Sequence, residues 1–527
     1  MDILANLAGG FAGALDPYNF VLLVSGLMIG VVAGALPGIS FVNAMAIALP
    51  FTYLLPPVTA MSFLGGIYVG GVFGGSISSI LINIPGTPAS LPSCWDGYPM
   101  TRKGLSSRAL SIAITASAFG GLASALLLTF GAPPFASFAL KFDQPEFFAA
   151  TILGLVSVIA IAKDAPLMSA VSMFLGLLIG TVGVDPMYGM PRLTLGVPDL
   201  ESGINFTVVM IGLFAIGEVV DLICKRAGGA RSIATKPGKQ IGLSDLWRIK
   251  SSILRGTGLG CTIGVIPGAG ATVGSVIAYS VEKQASGKGD RFGTGVEEGL
   301  AAPEAAKNAT TGTAMIPLLT LGIPGSAATA IMLAAMLIHG LNPGPLLFTS
   351  NATLVYTIFA SMLIANLLMI VAAMGVARVF STLMRVPPAI LGAFIIVLSV
   401  VGAYGVRNNL FDVYVCLAFG IAGYVMKRTG FPPAPLVVGV ILGPLCERYF
   451  LTSLANYDGN MTVFFTRPIS GTILALAAAF LVWSMWPSGK PLLRRPPKDP
   501  AQGDPAHSDP ANRNPPRKEP PQRVLKA

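Results

Sequence analysis

The sequence predicts an all-α polytopic membrane protein built from two repeats, and three observations carry that prediction. The first is polarity. Apolar residues make up 53% of the 527 residues and charged residues only 11%, against about 25% charged in soluble domains. With a mean hydropathy of +0.72, the chain carries too little charge to cover a soluble surface of that size. The second is the recurrence of apolar stretches, and the third is a glycine–proline pattern that returns at a fixed displacement.

Seven apolar stretches fall before residue 225, at 19–36, 41–55, 60–84, 107–131, 146–162, 166–184 and 204–224. Further ones follow at 250–266, 270–282, 309–322, 326–340, 353–377, 386–403, 410–427, 434–447 and 470–487. Some approach the ~20 residues that span a bilayer, and the shorter ones suit half-helices or re-entrant hairpins. Residues 62 Gly and 41 Pro in number fit helices that pack closely or break within the membrane.

Charge divides the chain into four parts: a first membrane repeat (1–224), a basic cytoplasmic linker (225–255), a second membrane repeat with a final helix (256–487) and a tail (488–527). Residues 1–224 hold 6 Lys/Arg against 11 Asp/Glu, whereas 225–255 hold 8 against Asp245 alone. The tail has 9 against 4 and ten prolines, the composition of a disordered cytoplasmic extension. Basic blocks beside membrane spans mark cytoplasmic loops and attract anionic lipid, so nucleic acid is not an expected partner. There is no basic residue before Arg102, so the n-region of a cleaved signal peptide is not expected.

The ladder Gly26, Gly30, Gly34, Gly38 returns as Gly256, Gly260, Gly264, Gly268, and Pro37 returns as Pro267, all displaced by 230. A second pair, NIPGT at 83–87 and GIPGS at 322–326, is displaced by 239. Nine residues therefore enter between the two marks, and the charged stretch 282–298 is the place for them. Seven apolar elements, an odd number, precede the second copy, so it is expected to be inverted in the membrane. The linker and C-terminus then lie inside and the N-terminus outside.

Glycine at every fourth position lets a neighbouring backbone approach, so the ladders themselves are read as packing. The Pro-Gly pairs interrupt helices: proline removes a donor and disfavours helix before it, and glycine permits unusual dihedrals. Such backbone survives in a membrane only where protein buries it or it lines a wet cavity. The half-helix that follows presents N–H groups suited to a carboxylate, and the half that precedes presents carbonyls suited to Na⁺. Each break is followed by a hydroxyl. The candidate substrate-binding residues are therefore Pro37, Gly38, Ser40, Pro85, Gly86, Thr87, Pro267, Gly268, Thr272, Pro324, Gly325 and Ser326. Asn83 and Asn308 offer amide oxygens to a coupling cation.

Other groups are read as structural. Glu304 and Lys307, three apart, form an ordinary helix-face ion pair. Glu218 and Asp221 sit beside Lys225 and Arg226 as a solvated interfacial face. With five cysteines lacking a CxxC pair and only two histidines, His339 and His507, neither a transition-metal site nor a Ser-His-Asp triad is expected. No GxxxxGK[ST] phosphate loop is present, and no cofactor is expected.

Five linked stretches resemble the large membrane subunit of the tripartite tricarboxylate transporters, the TctA type. They are GALPGIS (34–40), GGSISSILINIPGTPAS (74–90) with DGYPM (96–100), GVIPGAGAT (264–272), RFGTGVEEGLAAPEAAKNA (291–309) and LLTLGIPGSAATA (318–330). GTVGVDPMYGMPRLTLG (180–196) and FFTRPIS (464–470) extend the resemblance, which covers residues 1 to about 487 and leaves the tail outside. It implies a multi-pass secondary importer of the bacterial inner membrane. Its partners would be a small four-helix membrane subunit and a periplasmic solute-binding protein, its substrates tricarboxylates or related organic acids, and its coupling cation usually Na⁺. A channel or non-transporting scaffold, and less readily an intramembrane enzyme, are the alternative classes.

Overall fold

The computed structural model describes residues 3–36, 40–161, 166–185, 189–224, 242–266, 270–383 and 388–485. Pro37, Gly38, Pro267, Gly268, most of the basic linker and the tail lie outside the described residues.

Apart from its connections, the described chain is helical but for one hairpin of two two-residue strands. α1 (Ile3–Ala14) and α2 (Pro17–Ala35) lead to the first break, followed by α3 (Phe41–Thr52) and α4 (Pro57–Ile82). After the second break come a short turn (Pro88–Ser90), α5 (Leu91–Arg102) and the long α6 (Ser106–Ala139). α7 (Gln144–Ile161) and α8 (Pro166–Gly180) precede β1 (Gly183–Val184), β2 (Pro191–Arg192) and α9 (Pro198–Glu201). α10 (Phe206–Met210) runs through a π-helical turn into α11 (Gly217–Cys224). The second half repeats the order. α12 (Leu243–Val265), α13 (Gly270–Ala285), α14 (Glu297–Thr313) and α15 (Met315–Leu321) correspond to α2, α3 and α4. α16 (Ala327–Ile338), α17 (Leu347–Ser350) and α18 (Ala352–Leu383) follow the next break, then α19 (Pro388–Arg407), α20 (Leu410–Thr429) and α21 (Pro433–Asn456). α22 (Val463–Thr466) and α23 (Pro468–Met485) close the described chain. α2, α4, α6, α18, α20 and α21 are long and apolar enough to cross a membrane.

The glycine ladders explain how the two halves are built. A methyl group on Gly26, Gly30 or Gly34 of α2 would overlap the carbonyl oxygens of Phe63, Ile67 and Gly71 of α4. The matched steps of four mean that α2 and α4 run parallel with their backbones touching. The same holds in the second half, where Gly256 and Gly260 of α12 meet the carbonyls of Ala302 and Ala306 of α14. Close backbone contact of this kind replaces the hydrophobic drive that is missing between helices in lipid.

Between the halves the sense is reversed. Ile80 and Leu300 both face Gly97, Ser76 meets Glu304, and Phe73 meets Lys307, so α4 and α14 run antiparallel. α6 runs parallel to α14, from Arg108–Glu297 through Ser117–Glu304 to Ser124–Gly312. α6, α12 and α14 thus start together at one face, where Arg108 bonds both Asp245 and Glu297. α11 ends just before the segment 225–241, and α7 and α23 start together at the opposite face through Arg467–Glu146 and Ser470–Pro145. That opposite face also holds the hairpin, where Arg192 bonds Glu447 and Arg407 bonds Ser202.

One boundary and one pair of side chains differ from the sequence reading. Helix α12 begins at Leu243, inside the segment 225–255, because Leu246, Ile249 and Ile253 give this basic stretch an apolar side, with Ile249 and Ile253 buried. Glu218 and Asp221 both bond Lys427 of α20, and Asp221 is buried. Their partner comes from a distant helix, so they form a helix–helix tie in which Asp221 is buried and the Glu218–Lys427 arm stays exposed.

Candidate functional site

The second and fourth breaks have the same backbone. α4 ends at Asn83 (φ 59°) and α15 at Gly322 (φ 72°), both in the left-handed region that Gly and Asn tolerate. Four residues later Thr87 and Ser326 are extended, and each starts the next helical segment. Ser326 caps α16: its hydroxyl accepts from the Thr329 amide (3.2 Å), and Thr329 Oγ1 accepts from the Ser326 amide (2.7 Å). Thr87 is buried, and its hydroxyl contacts Ser90 Oγ at 2.6 Å.

The first break ends at Ser40, which caps α3 by accepting from the Val42 amide at 3.2 Å. The third ends at α13, where Thr272 lies exposed in the first turn and its carbonyl accepts from Ser275. Thr272 therefore occupies a helix face, not a cap, because α13 starts two residues earlier at Gly270.

The breaks are neighbours. Gly86 packs on the carbonyl of Gly34 near the end of α2, and a side chain on Gly270 would meet Ser326 and Gly325. Across the halves, α3 packs on α16 and α13 packs on the Pro88–Ser90 turn. The Tyr68 phenol of α4 reaches the Ser326 side chain and its ring stacks on Phe41 of α3. Pro324 and Gly325 are buried, Ser40 and Ser326 are half-buried, and Asn83 and Pro85 are exposed. Ser40 accepts from its own helix, which leaves its hydroxyl hydrogen available to an acceptor, whereas Ser326 Oγ also lies 3.2 Å from Thr329 Oγ1, and either of those two can donate.

Asn83 and Asn308 are not brought together. Asn83 caps the end of α4, whereas Asn308 is fully buried in the middle of α14. Its Nδ2 donates to the Glu304 carbonyl (3.3 Å), and its Oδ1 has no hydrogen-bond partner among the described residues. No three His, Cys, Asp or Glu side chains gather among the described residues in a way that could hold a metal ion.

Behind the second break lies a polar cluster that the sequence did not reveal as a unit. Glu304 and Lys307 are both fully buried and pair at 3.0 Å. The Glu304 carboxylate also accepts hydroxyls from Ser76 (2.7 Å), Ser93 and Ser117 (2.9 Å), on three different first-half helices. Lys307 Nζ also donates to Ser76 Oγ. The pairing is visible as an i,i+3 spacing, but the serines come from positions about 200 residues away and no local rule joins them.

The family model for the tripartite tricarboxylate transporter TctA family matches residues 20–438. An uncharacterized 52.8 kDa protein of the TAR-I ttuC' 3' region of Agrobacterium vitis is 39% identical over 490 residues, covering 93% of this chain and 97% of that protein. An uncharacterized protein of the TAR-II ttuC' 3' region of the same organism is 39% identical over 229 residues, 44% of this chain and 95% of that protein. No solved structure matches the chain. With the family model spanning most of its length, this chain belongs to the TctA family: it is a multi-pass membrane protein, the large transmembrane component of a tripartite tricarboxylate transporter and not an enzyme.

Proposed function

We propose that this chain is the translocating subunit of a binding-protein-dependent symporter that imports tricarboxylates or related organic acids. The observation that carries the reading is the meeting of the breaks: α3 against α16, α13 against the Pro88–Ser90 turn, and Gly86 and Gly270 at the junctions within each half. Helix starts there offer N–H groups to carboxylate oxygens, and Ser40, Thr87 and Ser326 offer hydroxyls. Freed carbonyls, with the unpartnered Asn308 Oδ1, would hold the coupling cation, Na⁺ in this reading. The repeats are inverted and contain re-entrant segments; the antiparallel run of α4 and α14 and the short helices beside the breaks support this. The partners are a small four-helix membrane subunit and a periplasmic solute-binding protein. The site is the bacterial inner membrane, with the linker and C-terminus inside.

The test is uptake of labelled organic acids, citrate first, into proteoliposomes holding this chain and its small membrane partner, with binding protein outside. Accumulation that requires an imposed Na⁺ gradient is expected. Equilibration without accumulation would make the chain a channel. Ser40→Ala and Thr272→Ala should weaken uptake at unchanged membrane abundance, and wild-type kinetics in both would remove those two residues from the site.

A further inference from the structure

The buried Glu304–Lys307 pair needs a role beyond holding the fold. A buried ion pair is weak evidence of stabilisation, because a well-packed apolar pair often serves as well, and an ionisable residue inside a membrane is a functional position by default. Glu304 has no oxygen left for a ligand. Its carboxylate is occupied by three serine hydroxyls and the Lys307 ammonium. Whatever it does is exerted on the groups it holds.

Two of those groups bracket the second break. Ser76 follows Gly75, whose missing side chain leaves room for the Thr87 amide and hydroxyl and for Ser90 Oγ, and whose carbonyl accepts from Gly86 at 3.4 Å. Ser93 lies in the first turn of α5, one turn beyond Ser90, whose hydroxyl contacts Thr87. The third, Ser117, sits on α6 and holds no part of the break. The arrangement is also not a requirement of the repeat. At the displacement of 239, Glu304 corresponds to Gly65 and Lys307 to Tyr68. There a neutral phenol reaches the break hydroxyl, Ser326, directly.

We propose that Glu304 is a positioning residue for the first-half break, acting through Ser76 and Ser93 to hold the Gly86–Ser90 turn in the geometry that receives a substrate carboxylate, with Lys307 as its fixed countercharge. The inference rests on the reading of that break as part of the substrate site. Loss of one charge-assisted hydrogen bond at a group once removed from the ligand is worth roughly tenfold in apparent affinity.

Two measurements test it. In the reconstituted complex, Ser93→Ala should raise the apparent KM for the accumulated acid about tenfold at unchanged abundance, with Ser76→Ala in the same direction and Ser117→Ala within about twofold of wild type. The volume-matched Glu304→Leu/Lys307→Met pair should keep abundance and show at least the Ser93→Ala loss, since a purely structural pair would be replaced without cost to transport. The second measurement needs no substrate. Thr87→Cys, in a chain whose native cysteines are replaced by serine, should react faster with a membrane-permeant maleimide once Ser93→Ala is added, and not once Ser117→Ala is added. Wild-type KM in both Ser76→Ala and Ser93→Ala, or unchanged labelling of Thr87→Cys, overturns the proposal. If the wild-type complex itself shows no gradient-driven uptake, the transport reading fails, and the labelling still decides whether Glu304 and its serines set the break.

Discussion

The two halves share a backbone course and differ in what fastens it. In both, a glycine-lined helix runs parallel to its partner, which ends in a left-handed residue before an extended hydroxyl residue. In the first half, α3 joins α4 through a four-residue connection, 53–56. In the second, the connection 286–296 is longer and is clamped onto the other half, with the amides of Gly293, Gly295 and Val296 donating to Asp96 (3.0, 2.8 and 2.8 Å) and Tyr279 donating to its other oxygen (2.9 Å). One break is seated by a neutral phenol, the other by a carboxylate with its own countercharge. Backbone–backbone contact admits almost no variation, so the ladders stay alike, whereas the polar fastenings are free to diverge and break the symmetry.

The largest effects should fall where the halves agree. Gly30→Ala and Gly260→Ala each place a methyl group on a carbonyl of the partner helix, Ile67 and Ala306. Overpacking against backbone that cannot yield costs about 3 kcal/mol or more, so both variants should vanish from the membrane fraction. Gly258, on the same helix as Gly260 but with open space around it, should accept alanine at wild-type abundance. A difference between Gly30→Ala and Gly260→Ala would mean that one ladder is not a packing seam.

The next effect separates the halves. Lys307→Met leaves Glu304 buried without its countercharge, a loss of about 3–5 kcal/mol, whereas Tyr68→Phe at the corresponding position removes one neutral hydrogen bond worth about 1 kcal/mol. Thermal stability of the purified chain in detergent should fall steeply for the first and little for the second. Equal losses would show that charge is not what distinguishes the two positions.

The legible and illegible parts of the molecule divide along the same line. Gly26 to Gly34 and Gly256 to Gly264 announce themselves by spacing, and Asn83 and Gly322 are the residue types that accept φ above zero at equivalent places. Nine inserted residues were assignable to 282–298 by subtraction, and the connection 286–296 lies there. The Ser76, Ser93 and Ser117 set was not readable, nor was the Asp96 clamp, because a hydroxyl or carboxylate carries no periodic sign of a partner on another helix. Thr272 shows that proximity to a Pro-Gly pair is a chain distance: the helix starts two residues earlier, so this hydroxyl lies exposed in the first turn of α13 and not at its cap. The start of α12 within the basic segment was hidden because charge dominates composition there while Ile249 and Ile253 set the buried side.

A smaller and local effect should follow from loosening the clamp. Asp96→Asn puts an amide N–H₂ where the carboxylate now accepts from backbone donors or from Tyr279, and an unmet donor at a buried site costs about 1–3 kcal/mol. Hydrogen exchange should quicken in residues 289–296 and stay unchanged in 53–56, the matching connection of the first half. Protection that survives the substitution would assign the order of this loop to Tyr279–Phe292 and Trp95–Tyr279 ring contacts instead.

The smallest expected effect lies at the exposed start of α12. Arg108 donates to Asp245, and the Gly242 amide adds a second bond, which together hold the Asp245 carboxyl down at about 2 from its ordinary 3.8. A carboxyl whose folded value is depressed contributes stability that is complete above its unfolded value and is lost as pH falls through the folded one. The contact should therefore be intact at pH 5 and open progressively between about pH 4 and about pH 2. Trp247, two residues on, reports the change if the other three tryptophans are replaced by phenylalanine. Its emission should shift across that window in the parent chain and not in Asp245→Asn. The corresponding start of α2 offers the contrast: Asp16 accepts from the Tyr18 and Asn19 amides of its own helix, so it ties nothing to the other half. An acid transition identical in the parent and in Asp245→Asn would show that Asp245 does not set it. The tie between α6 and α12 would then rest on Arg108–Glu297 and Arg248–Glu297, and the second half would be fastened through α14 rather than through the helix that follows the linker.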